Sequence, residues 1–304
     1  MTKIFIDGSA GTTGLRIVQR LSARPDLELI QIPAELRKDT KAREEAINAA
    51  DVAFFCLPDA AAVEAASLVH GHTAVIDTST AHRTNPDWAY GFPELAGRRE
   101  AVAASKRVAN PGCHASGFIS LVEPLVREGL LPADTALTCF SVTGYSGGGK
   151  SMIADYEAAA RPAELDAPRQ YGLTQQHKHL KEMVKICALE IAPVFCPIVS
   201  DYYSGMAVTV PVFQKDLKGT AADVAEVYKA CYAGPIVRYE PYTEGMIAGN
   251  ALSGKDSMTV TVAGNEERIL LISRFDNLGK GASGAAIQNM NILLGVDETM
   301  GLVL

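Results

Sequence analysis

The chain has 304 residues, 48% of them hydrophobic and 21% charged, with a net charge of −7. That length suits two domains, and the mixture is globular rather than disordered. The acidic balance argues against a nucleic-acid partner, whose phosphates need a concentrated basic face.

No apolar run approaches the roughly 20 residues of a membrane span. No basic head followed by an apolar stretch marks a secretory leader. The six cysteines, at 56, 113, 139, 187, 196 and 231, include no Cys-x-x-Cys pair, so neither a disulfide frame nor a zinc cage is expected. A reduced, cytoplasmic enzyme or binding protein is the expectation.

In chain order, Lys3–Asp7 reads as a strand. Residues 12–23 read as a helix, with Leu15, Val18 and Leu21 at helical spacing. Leu27–Ile32 is a second strand, and Asp39 is placed to cap a polar helix. Val52–Leu57 is apolar throughout, as a parallel strand buried on both faces would be. Asp59 is expected to cap an Ala-rich helix that stops at Gly71, and Ala74–Asp77 is the next strand. This strand-helix repeat predicts a doubly wound parallel sheet.

After Cys113 the texture changes. One helix is expected over 115–128, with Pro124 inside it. Extended segments at Ala136–Thr143, Tyr203–Phe213, Ser257–Ala263 and Arg268–Phe275 predict a mostly antiparallel sheet. A last apolar helix, about 282–294, is placed to return to the first domain. The expected fold class is α/β, a Rossmann-like sheet plus an α+β domain. The expected division is 1–112 with 285–304, against 113–284.

Four constellations carry chemistry. Gly8, Ser9, Gly11, Thr12, Thr13 and Gly14 lie between the first strand and first helix, where glycine lets a backbone approach a pyrophosphate at a helix N-terminus. The spacing is Gly-x-x-Gly-x-x-Gly rather than Gly-x-Gly-x-x-Gly, a weaker signal. Arg37 and Lys38 follow the second strand. They suit the 2′-phosphate of NADP or, equally, begin a solvated helix.

Cys113 opens a helix in Asn110-Pro111-Gly112-Cys113-His114, where the helix dipole and free N–H groups favour thiolate over thiol. The other five cysteines sit in apolar settings and read as structural. His177-Lys178-His179, followed by Glu182, offers proton carriers near pH 7. A metal pair would need further ligands that are not nearby.

Gly144–Ser151 fits the P-loop pattern Gly-x-x-x-x-Gly-Lys-Ser without a mismatch. Against nucleotide hydrolysis, the strand-helix repeats lie upstream and no later strand ends in a Mg²⁺-binding aspartate.

Taken in order, these motifs resemble the N-acetyl-γ-glutamyl-phosphate reductases of arginine biosynthesis, in their shorter bacterial branch. The likeness runs through Ile4–Gly8, Gly11–Gly14, Cys56–Asp59, Asp77–Ala81, Tyr90–Phe92, Asn110–Cys113, Gly147–Lys150, His177–His179, Asn277–Ala286 and Gln288–Met290. It implies a fold like that of glyceraldehyde-3-phosphate and aspartate-semialdehyde dehydrogenases, with NADP(H) as cofactor.

It also implies that Cys113 is the nucleophile and that His177 or His179 transfers the proton. Cofactor contacts would come from the first glycine loop, Leu57, Pro58, Ser79, Gly279, Lys280, Gly281, Ala282 and Asn289. Arg83, Ser146, Lys150 and Glu182 are the substrate-binding candidates. The implied partners are an acyl phosphate or aldehyde and inorganic phosphate, with a homodimer or homotetramer as the assembly. His82, His114, Ser116 and Lys181 depart from the common pattern of the family.

The reaction implied is NADPH-dependent reduction of N-acetylglutamyl 5-phosphate to the semialdehyde through a cysteine thioester. The alternatives are a sister reductase acting on aspartyl phosphate, an NADP-binding regulator without a reactive thiol, and a P-loop hydrolase.

Overall fold

The structure, a computed structural model, describes residues 1–304. The chain begins with β1 (Thr2–Asp7), α1 (Thr12–Leu21), β2 (Leu27–Ile30), α2 (Thr40–Ala49), β3 (Val52–Phe55), α3 (Asp59–Ser67) and β4 (Ala74–Asp77). It continues with β5 (Ala89–Tyr90), α4 (Arg98–Ala104) and β6 (Arg107–Ala109). The six strands form one parallel sheet in the order β2-β1-β3-β4-β6-β5. Every residue of β3 is buried, as a strand covered on both faces requires.

Two local expectations need correction. In α1 the buried face is Gly14, Ile17 and Leu21, while Leu15 is exposed; the apolar stripe is offset by part of a turn. Asp59 does not cap α3, since Pro58 takes that position. Its carboxylate instead accepts from Thr80 N and the Thr80 hydroxyl. Asp39 does cap α2, accepting from Ala42 N at 2.8 Å.

The next part of the chain gives α5 (Cys113–Arg127), β7 (Thr138–Gly144), α6 (Gly149–Glu157), β8 (Arg169–Gln170), α7 (His179–Ile186), β9 (Val194–Ser200) and β10 (Met206–Phe213). After these come α8 (Ala221–Cys231), β11 (Val237–Tyr239), β12 (Met258–Gly264) and β13 (Arg268–Phe275). They build a mixed sheet, β11-β12-β13-β10-β7-β9-β8, in which only the β11–β12 and β7–β9 pairs are parallel. A π-helical turn, Gly279–Ser283, leads into α9 (Gly284–Leu293). The chain divides into two compact units: 1–93, 97–111 and 282–302 in the first, and 94–96, 112–281 and 303–304 in the second.

Pro124, inside α5, is fully buried at its site. Proline cannot donate to the carbonyl four residues earlier, which is that of Ser120. Tyr232 Oη fills the gap, donating to Ser120 O at 2.7 Å, and Tyr228 Oη donates to Leu121 O at 2.6 Å. Both hydroxyls come from α8 and the residue after it, so α8 docks on α5 through the carbonyl the proline releases.

Candidate active site

In the second unit, the site is assembled around the first turn of α5. Gly112 is the N-cap, in extended conformation and without a side chain to cap the turn, so Cys113 is the first helical residue. Gly112 N–H donates to Glu182 Oε1 at 2.9 Å, and Glu182 is buried at 2% exposure in α7. That contact ties the cysteine turn to α7 and gives Glu182 a structural task beside Cys113. Glu182 was expected to bind substrate, and the sequence offered no sign of this pairing between residues 70 apart.

Cys113 is half-buried. On its other side lies Gly281, where an added Cβ would stand 3.0 Å from the Cys113 Cβ and 3.1 Å from Asp276 O. Only glycine lets the π-helical turn come this close to the thiol. Burial pushes the Cys56 thiol up to about 12 and raises those of Cys139, Cys187 and Cys231.

The two expected histidines do converge here, in an aromatic cluster. Their ring centroids are 4.8 Å apart. His114 lies 5.8 Å from His177 and 5.6 Å from His179, with Phe195 5.1 Å from His177. His177 Nδ1 accepts from the backbone N–H of His179 at 3.3 Å. In the neutral ring the remaining proton is therefore on Nε2. Burial, helped by the Lys178 charge, holds the His177 pKa below its ordinary value. His114 is pushed down to about 3 by burial and then by His177, so it is neutral at pH 7. Its Nδ1 meets Ser141 Oγ at 2.6 Å and its Nε2 meets Tyr171 Oη at 2.7 Å. Ser141, Tyr171 and Phe195 were not singled out from sequence, because nothing local marks a residue whose partner is distant in the chain.

The P-loop reading fails on its own backbone. Gly144 N, Tyr145 N and Ser146 N donate to Gly205 O, Tyr202 O and Tyr203 O, so these N–H groups are not left to cradle a phosphate. The loop also leaves a mixed sheet, where β7 is antiparallel to β10. Ser146 is buried, its Oγ accepting from Asn277 Nδ2 at 3.0 Å, and Lys150 is exposed at the start of α6.

Lys280 was expected to contact the cofactor. It is 1% exposed and ion-paired through both carboxylate oxygens of Glu94 at 2.8 Å, which anchors the π-helical turn. Gly279 and Gly281 both donate to Asp276 O at 3.0 Å.

The first unit holds the remaining cofactor candidates. Gly8 has φ +83°, and a Cβ there would lie 2.2 Å from Cys56 O. A Cβ on Gly14 would lie 2.5 Å from Gly8 O. The β1–α1 turn is thus pressed against the end of β3, next to Leu57, in a space open only to glycine. Gly11 is the N-cap of α1 and brings no side-chain acceptor, so Thr12 and Thr13 begin a helix with donors suited to a pyrophosphate. The buried Arg43–Asp7 pair, at 3.0 Å, fixes the end of β1 just before this turn.

Asn289 donates to Gly91 O and Asn110 Oδ1, and its buried Oδ1 has no partner. An orphaned amide acceptor of this kind suits a carboxamide N–H. Asn110 Nδ2 donates to Ala282 O. These features fit a dinucleotide. Arg37 and Lys38 are exposed after a short turn, Pro58 is exposed, and Ser79 is buried with its hydroxyl donating to Asp77.

Arg83 is buried, donating to Asn110 O at 2.9 Å and Thr78 O at 2.8 Å. His82 shares Asp77 with Ser79 at 2.6 Å and stacks on Trp88 at 4.0 Å.

Comparison with known proteins adds a second line. The family model for the semialdehyde dehydrogenase dimerisation domain matches residues 113–277, and that for the semialdehyde dehydrogenase NAD-binding domain matches 3–105. The N-acetyl-gamma-glutamyl-phosphate reductase of Brucella anthropi is 49% identical over 96% of this chain and 98% of its own length. That of Brucella ovis is 48% identical over 96% and 99%. Among solved structures, aspartate semialdehyde dehydrogenase II from Vibrio cholerae superposes with a TM-score of 0.71 at 17% identity, covering 97% of this chain and 98% of that one. A probable aspartate-semialdehyde dehydrogenase from Pseudomonas aeruginosa gives 0.70 at 18%, covering 96% and 98%. At that identity the likeness is one of fold.

Proposed function

Because this chain belongs to the semialdehyde dehydrogenase family, among its N-acetyl-γ-glutamyl-phosphate reductases, we propose that it reduces N-acetylglutamyl 5-phosphate to N-acetylglutamate 5-semialdehyde. The observation that carries the chemistry is Cys113 at the first turn of α5, next in sequence to His114, whose ring packs with His177 and His179. The relatives' names favour the glutamyl substrate over aspartyl phosphate, since the aspartate enzymes resemble this chain only in fold.

In this reading the Cys113 thiolate attacks the acyl carbon, the C–O bond to phosphate breaks, and inorganic phosphate leaves. NADPH, held by the Gly8–Gly14 turn and Asn289, would supply the hydride that reduces the thioester. The negative oxygen formed at the attacked carbon is held by N–H groups at the start of α5. Its collapse expels the sulfur and releases the aldehyde, and the neighbouring imidazoles hold or return the proton. His177, with Nδ1 occupied by the His179 N–H, is our choice for that role.

In the first unit, the Gly8–Gly14 turn would hold the pyrophosphate and Asn289 Oδ1 the nicotinamide carboxamide, with Arg37 and Lys38 assigned to the 2′-phosphate. Arg83 is our candidate for the substrate α-carboxylate, and Lys150 for its phosphate. A dimer is part of the proposal. The outer face of the mixed sheet exposes Val194, Phe140, Phe213 and Leu270, and Pro211 pairs opposite Leu270. A Phe140→Asp variant should run as a monomer in light scattering. The assembly and a cytoplasmic location, consistent with six free cysteines, are inferences of the same kind.

The test is phosphate-dependent reduction of NADP⁺ by N-acetylglutamate semialdehyde, for wild type and Cys113→Ser. Turnover by wild type that vanishes in the variant supports substrate and nucleophile together. Folded wild type that binds NADP⁺ and turns over only aspartate semialdehyde would replace the substrate.

A further inference from the structure

We propose that His114 is a positioning residue. Held as the Nε2–H tautomer, it receives a hydrogen bond from Ser141, donates to Tyr171, and so turns the Tyr171 phenol proton toward Cys113. The proposal rests on reading Cys113 as the nucleophile and deepens it.

A neutral imidazole has one donor and one acceptor nitrogen. The chain Ser141 Oγ–His114–Tyr171 Oη therefore has two possible directions. If Tyr171 donated to Nε2, Nδ1–H would donate to Ser141, and the Ser141 O–H would need another acceptor. Ser141 is 0% exposed in β7, and its hydroxyl has no partner besides His114 Nδ1. That direction strands a buried donor, a costly arrangement.

In the opposite direction Ser141 O–H donates to Nδ1 and Nε2–H donates to Tyr171 Oη. Every buried group is then satisfied, and the surplus proton is carried by Tyr171. Tyr171 is only half-buried, and that proton is on the side away from His114.

Cys113 is the group to receive it. It precedes His114 at the first turn of α5, one residue from the ring that meets Tyr171 Oη at 2.7 Å, and burial first and Cys113 second raise the Tyr171 pKa. The other titratable groups around the chain are His177 and His179, with Lys178 acting on His177, from α7 and the residues before it. β7 and β9 face the imidazole with Ser141 and Phe195, which carry no charge. His114 stays neutral because it is sealed among these rings. A neutral ring can pass on hydrogen-bond direction without repelling the other imidazoles. A phenylalanine at this position, packed the same way, would leave the Tyr171 proton undirected.

The test has two arms, neither using a substrate. In ¹⁵N-histidine-labelled protein at pH 7, the resonance lost in His114→Gln should show a protonated Nε2 and an unprotonated Nδ1. In the second arm, the pH midpoint of Cys113 alkylation by iodoacetamide is measured. Tyr171→Phe and His114→Phe should both raise it, by similar amounts, and the double variant no further. His114→Gln, whose amide N–H can replace Nε2–H, should restore the wild-type value. Each raising variant should slow thiol alkylation at pH 7 roughly tenfold, the low end for losing one hydrogen bond to a charged group. An Nδ1–H tautomer, a charged His114, or a His114→Phe midpoint equal to wild type would overturn the proposal. Failure of the reductase assay alone would leave both arms readable, so the two readings fail separately.

Discussion

The contact between Glu182 and Gly112 gives a quantitative expectation for catalysis. Its hydrogen bond is 2.9 Å long, both ends are buried, and the acceptor is a carboxylate. Hydrogen bonds to charged groups contribute about 1.5–3 kcal/mol. Removing the acceptor in Glu182→Ala leaves Gly112 N–H unsatisfied at the N-cap of the helix that carries Cys113. If that strain is expressed in the positioning of Sγ, kcat/KM should fall by about 10- to 150-fold, at roughly 1.4 kcal/mol per factor of ten.

Glu182→Gln keeps a neutral acceptor, about half as strong, and should lose only a few-fold. The assays are the phosphate-dependent reverse reaction and the rate of Cys113 alkylation, and both should fall in the same order. A large KM change with normal alkylation in Glu182→Gln would mean that the carboxylate meets substrate instead, and the argument from Gly112 would be wrong.

Other expectations follow from the same geometry. Tyr232→Phe should destabilise the protein by about 1–3 kcal/mol, the cost of a buried carbonyl left unsatisfied. In a Pro124→Ala background, where residue 124 regains its N–H, urea denaturation should show a smaller loss. Asn289→Ala should weaken NADP⁺ binding by fluorescence titration, about tenfold for one lost hydrogen bond, with little change in the alkylation rate of Cys113. Gly281→Ala places a methyl 3.0 Å from the Cys113 Cβ and should lower kcat more than it raises KM.

The pH dependence of stability has a defined sign. His114 binds its proton at about 3 when folded and near 6.5 when unfolded, so the unfolded state holds more protons between those values. Stability should therefore be complete above pH 6.5 and decline below it, by up to about 1.4 kcal/mol per pH unit for this group. His114→Phe should flatten the slope between pH 6 and 5 in urea titrations.

Much of the molecule was determined locally. The buried run Val52–Phe55, the glycine turn after Asp7 and the Asp39 cap are readable because each rests on neighbours within a few residues. The texture change at Cys113 and the scatter of apolar cysteines around one polar exception marked the proposed nucleophile in the same way. The apolar helix stripe was misplaced in α1 because side-chain spacing fixes a period but not which part of the face meets the sheet.

What lay outside the sequence was pairing across distance. Lys280 is set against Glu94, Glu182 against Gly112, Tyr232 against Ser120, and Tyr171 against His114 with Ser141 behind it. A P-loop pattern complete in sequence lost its meaning once the N–H groups of its first three residues were found on the carbonyls of Gly205, Tyr202 and Tyr203. In each case the residue's chemistry was visible, but its partner was chosen by the folding of two sheets. A buried polar group takes its role from the partner that satisfies it.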